Sequence, residues 1–206
     1  RSIRQVLTDS LQTALEFYDS LPSTESSIDG NSKIAVVKPV RGSASTHVYK
    51  CNSTEELIIA FNKVLGKPGY ANNTISDAIL IQEFITGEEY VCDTVTLAPG
   101  EHKMIANWKY DKKCLNTKDF IYYATILVPS DETPLNFHEY VATVLNCMRI
   151  ETGPAHIEVM YTNTGECVLI EANCGRFHLD DFVVLCNLVN GYNAIDVALD
   201  GILANI

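Results

Sequence analysis

The chain reads as an α+β protein, and three features of its sequence say so. Apolar residues fall at helical spacing near both ends, and β-branched runs bounded by Gly, Pro and Asn fill much of the centre. A Thr162-Asn163-Thr164-Gly165 turn then joins two further apolar runs as a hairpin. The elements divide into a small lobe before about residue 86 and a larger one after it.

Ile3, Val6, Leu7, Leu11, Ala14, Leu15, Phe17 and Tyr18 repeat at helical spacing, so Ile3–Leu21 is expected to be one amphipathic helix. The polar stretch 22–32 follows as a loop. Lys33–Val40 is a β-branched run ended by Pro39 and Gly42, and Val48–Cys51 is a second short strand. Ser53 caps a helix with Glu55 and Glu56 in its first turn and Leu57, Ile58, Phe61, Val64 and Leu65 on its apolar face. A Gly-, Asn- and Pro-containing loop (67–77) leads to a strand over Ala78–Phe84. From Gly87 strands dominate, at Tyr90–Leu97, Lys103–Tyr110 and Phe120–Val128. A helix over Pro134–Cys147, the hairpin Ala155–Tyr161 with Cys167–Ala172, and a helix over Ala194–Leu203 complete the order.

The formal net charge of −11 argues against a nucleic-acid partner, because phosphate backbones attract basic surfaces. No apolar run approaches the roughly 20 residues of a membrane helix, so no membrane partner is expected. Residues 1–30 do not form a signal peptide, and the first residue is Arg1, which reads as part of a longer chain. Seven cysteines without a Cys-x-x-Cys pair fit reduced thiols in the cytoplasm better than a disulfide framework or a zinc site.

The hairpin carries the sharpest chemical signal. If its turn is centred between Thr164 and Gly165, paired residues have numbers that sum to 329, which sets Glu158 opposite Glu171 and His156 opposite Asn173. Alternate residues share a face of a strand, so His156, Glu158, Glu171 and Asn173 meet on one side. Opposed carboxylates lie roughly 5 Å apart at Cβ and repel. Their strands are otherwise apolar, and a buried like-charged pair calls for a cation; Mg²⁺ takes one or two carboxylates together with substrate phosphates. A register slipped by one residue, or two solvated glutamates paired with lysines, is the alternative.

Lys38 sits within an apolar run and precedes Arg41-Gly42-Ser43-Ala44-Ser45, whose small residues let backbone N–H groups approach an anion. Read alone, an edge-strand lysine reaching water explains that segment better. Gln82 and Glu83 close their strand and Gly87-Glu88-Glu89 follows, which a solvated acidic turn explains equally well.

Taken together and in order, VVKPVRGSAS (36–45), IQEFITGEEYVCDTV (81–95), GPAHIEVM (153–160) and LIEANCGR (169–176) resemble the ATP-grasp superfamily. With EHKMIANWKYDKK (101–113), they are most similar to L-amino acid ligases and carnosine synthase-like carboxylate–amine ligases. The resemblance covers about residues 33–200 and implies an ATP-grasp fold of two α+β lobes with ATP between them. Residues 1–32 would be a leading helix and loop, the remnant of a longer N-terminal region. Residues 33–86 would form the small lid lobe, and 87–206 the larger antiparallel-sheet catalytic lobe.

The implied roles follow residue by residue. Lys38 would contact the ATP phosphates, and the loop with Gly42, Ser43 and Ser45 would close over them. Gln82, Glu83 and Ile85 would hold adenine, and Glu89 the ribose. Glu158, Glu171 and Asn173 would bind Mg²⁺, with Mn²⁺ as an alternative, and Arg176 would steady the reacting centre. The activity implied is ATP-dependent joining of a small carboxylate to an amine through an acyl phosphate. A biotin carboxylase-like enzyme and a non-catalytic ATP-binding regulatory module are the alternatives.

Two positions depart from the family pattern. His47 stands where glycine is usual, and the arginine normally four residues after the second metal glutamate is displaced by Gly175 to Arg176. Trp108, Tyr110 and Lys112 read as sheet packing and surface, and His178, Asp180 and Asp181 as either substrate-loop or solvated residues.

Overall fold

The alternation of core and non-core residues in Ala35–Pro39 fixes the first sheet. The computed structural model of the chain describes residues 1–23, 33–42, 45–68, 75–115 and 118–203. Its elements group into two compact units, one of Ile3–Ile85 with Lys112–Ile121, the other of Arg1–Ser2, Thr86–Asp111 and Tyr122–Ile206.

In the first unit, β1 (Gln5–Thr8), α1 (Leu11–Ser20), β2 (Ala35–Pro39), β3 (Tyr49–Cys51), α2 (Thr54–Val64) and β4 (Ile79–Glu83) follow one another. The strands form an antiparallel sheet in the order β1-β4-β2-β3. Ala35, Val37, Ile79 and Ile81 bury one face against Ala14 and Tyr18 of α1 and Leu57, Ala60, Phe61 and Val64 of α2. Strand alternation sends Val36, Lys38, Leu80 and Gln82 to the opposite face.

The single helix expected over Ile3–Leu21 is corrected here. Gln5–Thr8 is an edge strand paired with Gln82–Ile79, and the helix begins only at Leu11. Backbone pairing with β4 outweighs a helical spacing that these residues satisfy only in part. Ser10 marks the boundary, its hydroxyl accepting the Thr13 N–H.

The second unit holds β5 (Gly87–Ala98), β6 (Glu101–Leu115), β7 (Lys118–Val128), a 3₁₀ turn (Ser130–Glu132), α3 (Phe137–Cys147), β8 (Gly153–Thr162), β9 (Cys167–Cys174), α4 (Asp181–Asn190) and α5 (Ala194–Leu203). The far ends of β6 and β7 group with the first unit. The sheet order is β7-β6-β5-β8-β9. On one face Tyr90, Cys92, Ala155, Ile157 and Val159 pack on Phe137, Val141, Val144 and Leu145 of α3. On the other, Val91, Ala106, Trp108 and Tyr110 meet Cys186 of α4, and Val95 and Ile105 meet Ala194 and Val197 of α5. Helices on both faces explain why β5 is buried without a break from Glu89 to Thr96. At Gly87 the backbone of Tyr161 passes so close that any Cβ would collide with its carbonyl, so β5 enters the sheet beside β8 only with glycine there.

Helix α4 is unexpected from the sequence. Its residues, DFVVLCNLVN, are apolar nearly all round and carry little helical stripe to read. The expected helices over Pro134–Cys147 and Ala194–Leu203 form as α3 and α5, the former starting at Phe137. Among the described residues no single helix is long and apolar enough to cross a membrane.

The cap on α2 isolates one local contribution. Ser53 Oγ accepts the Glu56 N–H at 3.2 Å, while Glu56 Oε2 accepts the Asn52 N–H at 2.7 Å. Ser53→Ala is expected to lower unfolding stability by about 1 kcal/mol, measured by urea titration, and Ser53→Asp by much less.

Candidate active site

The hairpin of β8 and β9 brings Glu158 opposite Glu171 and His156 opposite Asn173, as the sum of 329 requires. The route to that register differs from the one expected. The turn closes one residue earlier, with Tyr161 opposite Cys167 and Thr162 N–H donating to Glu166 O. A bulge then restores the register, because Val159 pairs with Leu169 and Glu158 with Glu171, leaving Ile170 as the extra residue. The bulge puts Leu169 against the α3 side while Glu171, two residues on, lies with Glu158.

Glu89, Val91 and Asp93 on β5 lie on this same face, Val91 opposite Glu158 and Asp93 opposite His156. Glu89, Asp93 and Glu158 are buried, and Glu171 and Asn173 are half-buried. The face therefore carries four carboxylates. Burial, followed by the charges of Glu158, Tyr122, Glu89 and Asp93, pushes the Tyr110 hydroxyl far above its ordinary range.

Four hydrogen bonds converge on the Asp93 carboxylate. Its Oδ1 accepts from His156 Nδ1 at 2.8 Å. Its Oδ2 accepts from Trp108 Nε1 at 2.7 Å, His178 Nδ1 at 2.8 Å and the His178 backbone N–H at 3.3 Å. Burial opposes ionisation of Asp93, but the bonds from His156 and His178 and their charge outweigh it and hold the carboxyl down to about 2. On the far side of both rings, His156 Nε2 lies 3.4 Å and His178 Nε2 3.2 Å from the Tyr110 hydroxyl, and His156 Nε2 lies 3.3 Å from Glu158 Oε1. Burial disfavours a charged His156, yet Asp93 and Glu158 together raise its pKa above the ordinary value.

Arg176 follows Gly175, whose left-handed φ of +88° makes the extra residue a turn. Gly175 N–H donates to Pro154 O at 2.8 Å, and the Arg176 side chain is exposed.

Apart from Glu89 on β5, the nucleotide-side candidates lie in the first unit. Lys38 is half-buried on β2 opposite Leu80 and shares a face with Gln82, which is opposite Val36. Lys50 on β3, also opposite Val36, sits 4.3 Å above the Phe84 ring. Gln82 Nε2 donates to Gln5 Oε1 at 2.7 Å, and Glu83 Oε1 accepts the Arg4 N–H at 2.9 Å, so both side chains are tied to the β1 edge. Ile85 is buried where the chain leaves this unit. Gly42 is exposed, Ser45 lies in the 45–47 turn, and Ser43 lies outside the described residues. His47, at the usual glycine position, adopts φ +60°, a backbone conformation that glycine enters without strain.

Sequence reasoning misses Asp93, which stands alone among apolar residues in YVCDTV, and it reads Trp108 and Tyr110 as packing. Trp108 is fully buried packing, and its indole N–H also serves Asp93.

Residues 32–179 match the ATP-grasp domain family. Dapdiamide A synthase of Enterobacter agglomerans is 28% identical over 137 residues, covering 66% of this chain and 31% of that protein. The L-arginine-specific L-amino acid ligase of Bacillus subtilis is 26% identical over 136 residues, covering 66% of this chain and 32% of that protein. The chain thus spans about a third of the length of the curated relatives it matches. Among solved structures, L-amino acid ligase from Bacillus licheniformis shares the fold with a TM-score of 0.60 at 21% identity, over 92% of this chain and 45% of that one.

Two measurements probe this geometry. Asp93 has a folded pKa below its unfolded value of 3.8, so its contribution is complete above about pH 4 and is lost as pH falls towards 2. Acid unfolding followed by circular dichroism is expected to lose about 2 kcal/mol across that window in the wild type and much less of it in Asp93→Asn. His47→Gly, which relieves the left-handed strain, is expected to leave the thermal midpoint unchanged or raise it, by at most about 1 kcal/mol of stability.

Proposed function

We propose, from the premise that this chain belongs to the ATP-grasp family, that it is the nucleotide-binding core of a ligase joining a carboxylate to an amine with ATP and Mg²⁺. The observation that carries the reading is the opposed pair Glu158 and Glu171, with Asn173 beside them on a face that also bears Glu89. In this reading residues 33–86 are the nucleotide lid and 87–206 the catalytic lobe. The name of one relative, an L-arginine-specific L-amino acid ligase, favours amino acids as substrates. The seven cysteines suit a reducing cytoplasm.

The donor set fits a hard divalent cation. Glu158, Glu171 and Asn173 offer oxygen ligands, and His156 bonded to Glu158 holds one of the carboxylates in place. When bound, Mg²⁺ would neutralise charge on the phosphates and on the phosphoryl group in transfer. Lys38, on the face shared with Gln82, would hold the phosphates, and the Gly42–Ser45 loop would close over them. Ile85, with the backbone at Gln82 and Glu83, would seat adenine, and Glu89 would take the ribose hydroxyls.

The chemistry balances as two displacements. A substrate carboxylate oxygen attacks the γ-phosphorus, and the bond to the β–γ bridging oxygen breaks to release ADP and leave an acyl phosphate. An amine then attacks the acyl carbon, inorganic phosphate departs, and the amine loses a proton. Arg176 would face the charge that builds on the phosphoryl oxygens and the tetrahedral carbon. The protein supplies position and electrostatics in both steps.

Calorimetry of ATP binding with and without Mg²⁺ tests the reading. Micromolar-range binding that requires Mg²⁺ is expected, with at least about a 10-fold loss in Glu158→Gln/Glu171→Gln. ADP release in a mixture of the twenty L-amino acids should accompany it. Binding that is indifferent to both the metal and the double substitution would replace this proposal with a regulatory ATP-binding module.

A further inference from the structure

Asp93 has no part in the mechanism above, although four hydrogen bonds converge on its carboxylate. Two of the four come from a single residue, His178, one from its ring and one from its backbone N–H. A side-chain bond fixes a ring, whereas a backbone bond fixes the path of the chain. Asp93 therefore holds the chain itself two residues beyond Arg176.

The other side of Arg176 is held as well, by the Gly175 N–H on Pro154 O at the start of β8. Gly175 and His178 are three residues apart, a span of at most about 10 Å even when fully extended. Between them Phe177 packs on the Val95, Ile105 and Ala194 cluster. Beyond them the His178 ring is walled by Trp108, centroids 5.2 Å apart, and by Phe182 at 4.5 Å. The backbone of Arg176 is thus pinned on both sides while its side chain remains exposed. Asp93 Oδ1 also reaches Glu158 through His156. One carboxylate thereby sets the Arg176 loop against the strand that carries Glu158.

Asp93, His156 and His178 also offer three ligand atoms within 4.8 Å of one another, a spacing open to a metal ion. Hydrogen bonding accounts for these atoms without one, since both Nδ1 atoms are on Asp93 and both Nε2 atoms are at Tyr110.

We infer that Asp93 is the positioning residue for Arg176, clamping segment 176–178 to the glutamate-bearing sheet through His178. The inference rests on the ligase reading for what Arg176 does, but not for where Arg176 is held. In a different sequence context the displaced arginine would wander with its loop; here the clamp fixes it despite the extra residue at Gly175.

The test uses two variants of the full chain. Asp93→Asn keeps the size but cannot accept from all four donors. His178→Ala leaves Asp93, Trp108, His156 and the backbone N–H on Asp93 in place, so it removes the ring's share of the clamp alone and remains informative if the first variant folds poorly. Hydrogen exchange read by mass spectrometry is expected to accelerate at least about 10-fold in peptides covering 175–182 of Asp93→Asn, to accelerate by a smaller factor there in His178→Ala, and to stay at the wild-type rate across 155–173 in both. ADP release in the twenty-amino-acid mixture is expected to lose about 10-fold or more in kcat, with KM for ATP changed less than about two-fold. Asp93→Asn combined with Arg176→Ala should be no slower than Arg176→Ala alone. Unchanged exchange at 175–182, faster exchange spread evenly over the sheet, or additive losses in the double variant would overturn the inference. A wild-type chain that releases no ADP would instead count against the ligase reading, and the exchange rates would still decide the clamp.

Discussion

Four carboxylates on one face of one antiparallel sheet are the constraint to which the rest of the second unit answers. Glu89, Asp93, Glu158 and Glu171 occupy three neighbouring strands, and no arrangement of an apolar core tolerates that charge uncompensated. The protein resolves part of it internally. Asp93 receives an indole, two imidazoles and a backbone amide, and its carboxyl is held at about 2 although burial acts in the opposite direction. The resolution demands its own framework: Trp108 on β6, His156 on β8 and His178 beyond β9 must all converge on β5. Helix α4 then closes over the aromatic part of that arrangement through Phe182 and Cys186. Glu158 is drawn into the same network by His156, whereas the opposition of Glu158 and Glu171 is the portion that an external cation is suited to relieve.

Much of this is legible in the sequence because a hairpin is local. The turn TNTG lies within the pairing it creates, and alternation then puts His156, Glu158, Glu171 and Asn173 on one face. The register at the glutamates is the one that reasoning implies, although it is reached through a shorter turn compensated by a bulge at Ile170. That compensation has a packing cause. With the bulge, Leu169 reaches the α3 cluster while Glu171 faces the other way, which an unbroken alternation of Leu169 and Glu171 forbids.

The features that escape the sequence are long-range or unpatterned. The partners of Asp93 are 15, 63 and 85 residues away, and no spacing rule links them. Strand β1 is hidden by a helical spacing that continues into α1, and only pairing with β4, more than seventy residues on, decides its conformation. Helix α4 is hidden for the opposite reason, since a segment apolar on every side carries little period. The lysine of β2 is visible as an anomaly in an apolar run. Its placement beside Gln82, and the proximity of Lys50 to Phe84, need the four-stranded register.

The two departures from the family pattern differ in kind. His47 occupies a left-handed position that a β-carbon disfavours, so its cost is local and is carried by a turn. The displaced arginine is different, because the residue inserted before it is Gly175, which takes φ +88° and donates its N–H to Pro154. The insertion is absorbed in a single turn, and two residues after Arg176 the chain is returned to the sheet by Asp93. An extra residue in a loop ordinarily loosens the residues after it, yet here each end of the short segment carries a backbone hydrogen bond to the sheet. The departure in sequence is therefore confined to the path between two fixed points, and it leaves the placement of Arg176 a property of the sheet rather than of the loop.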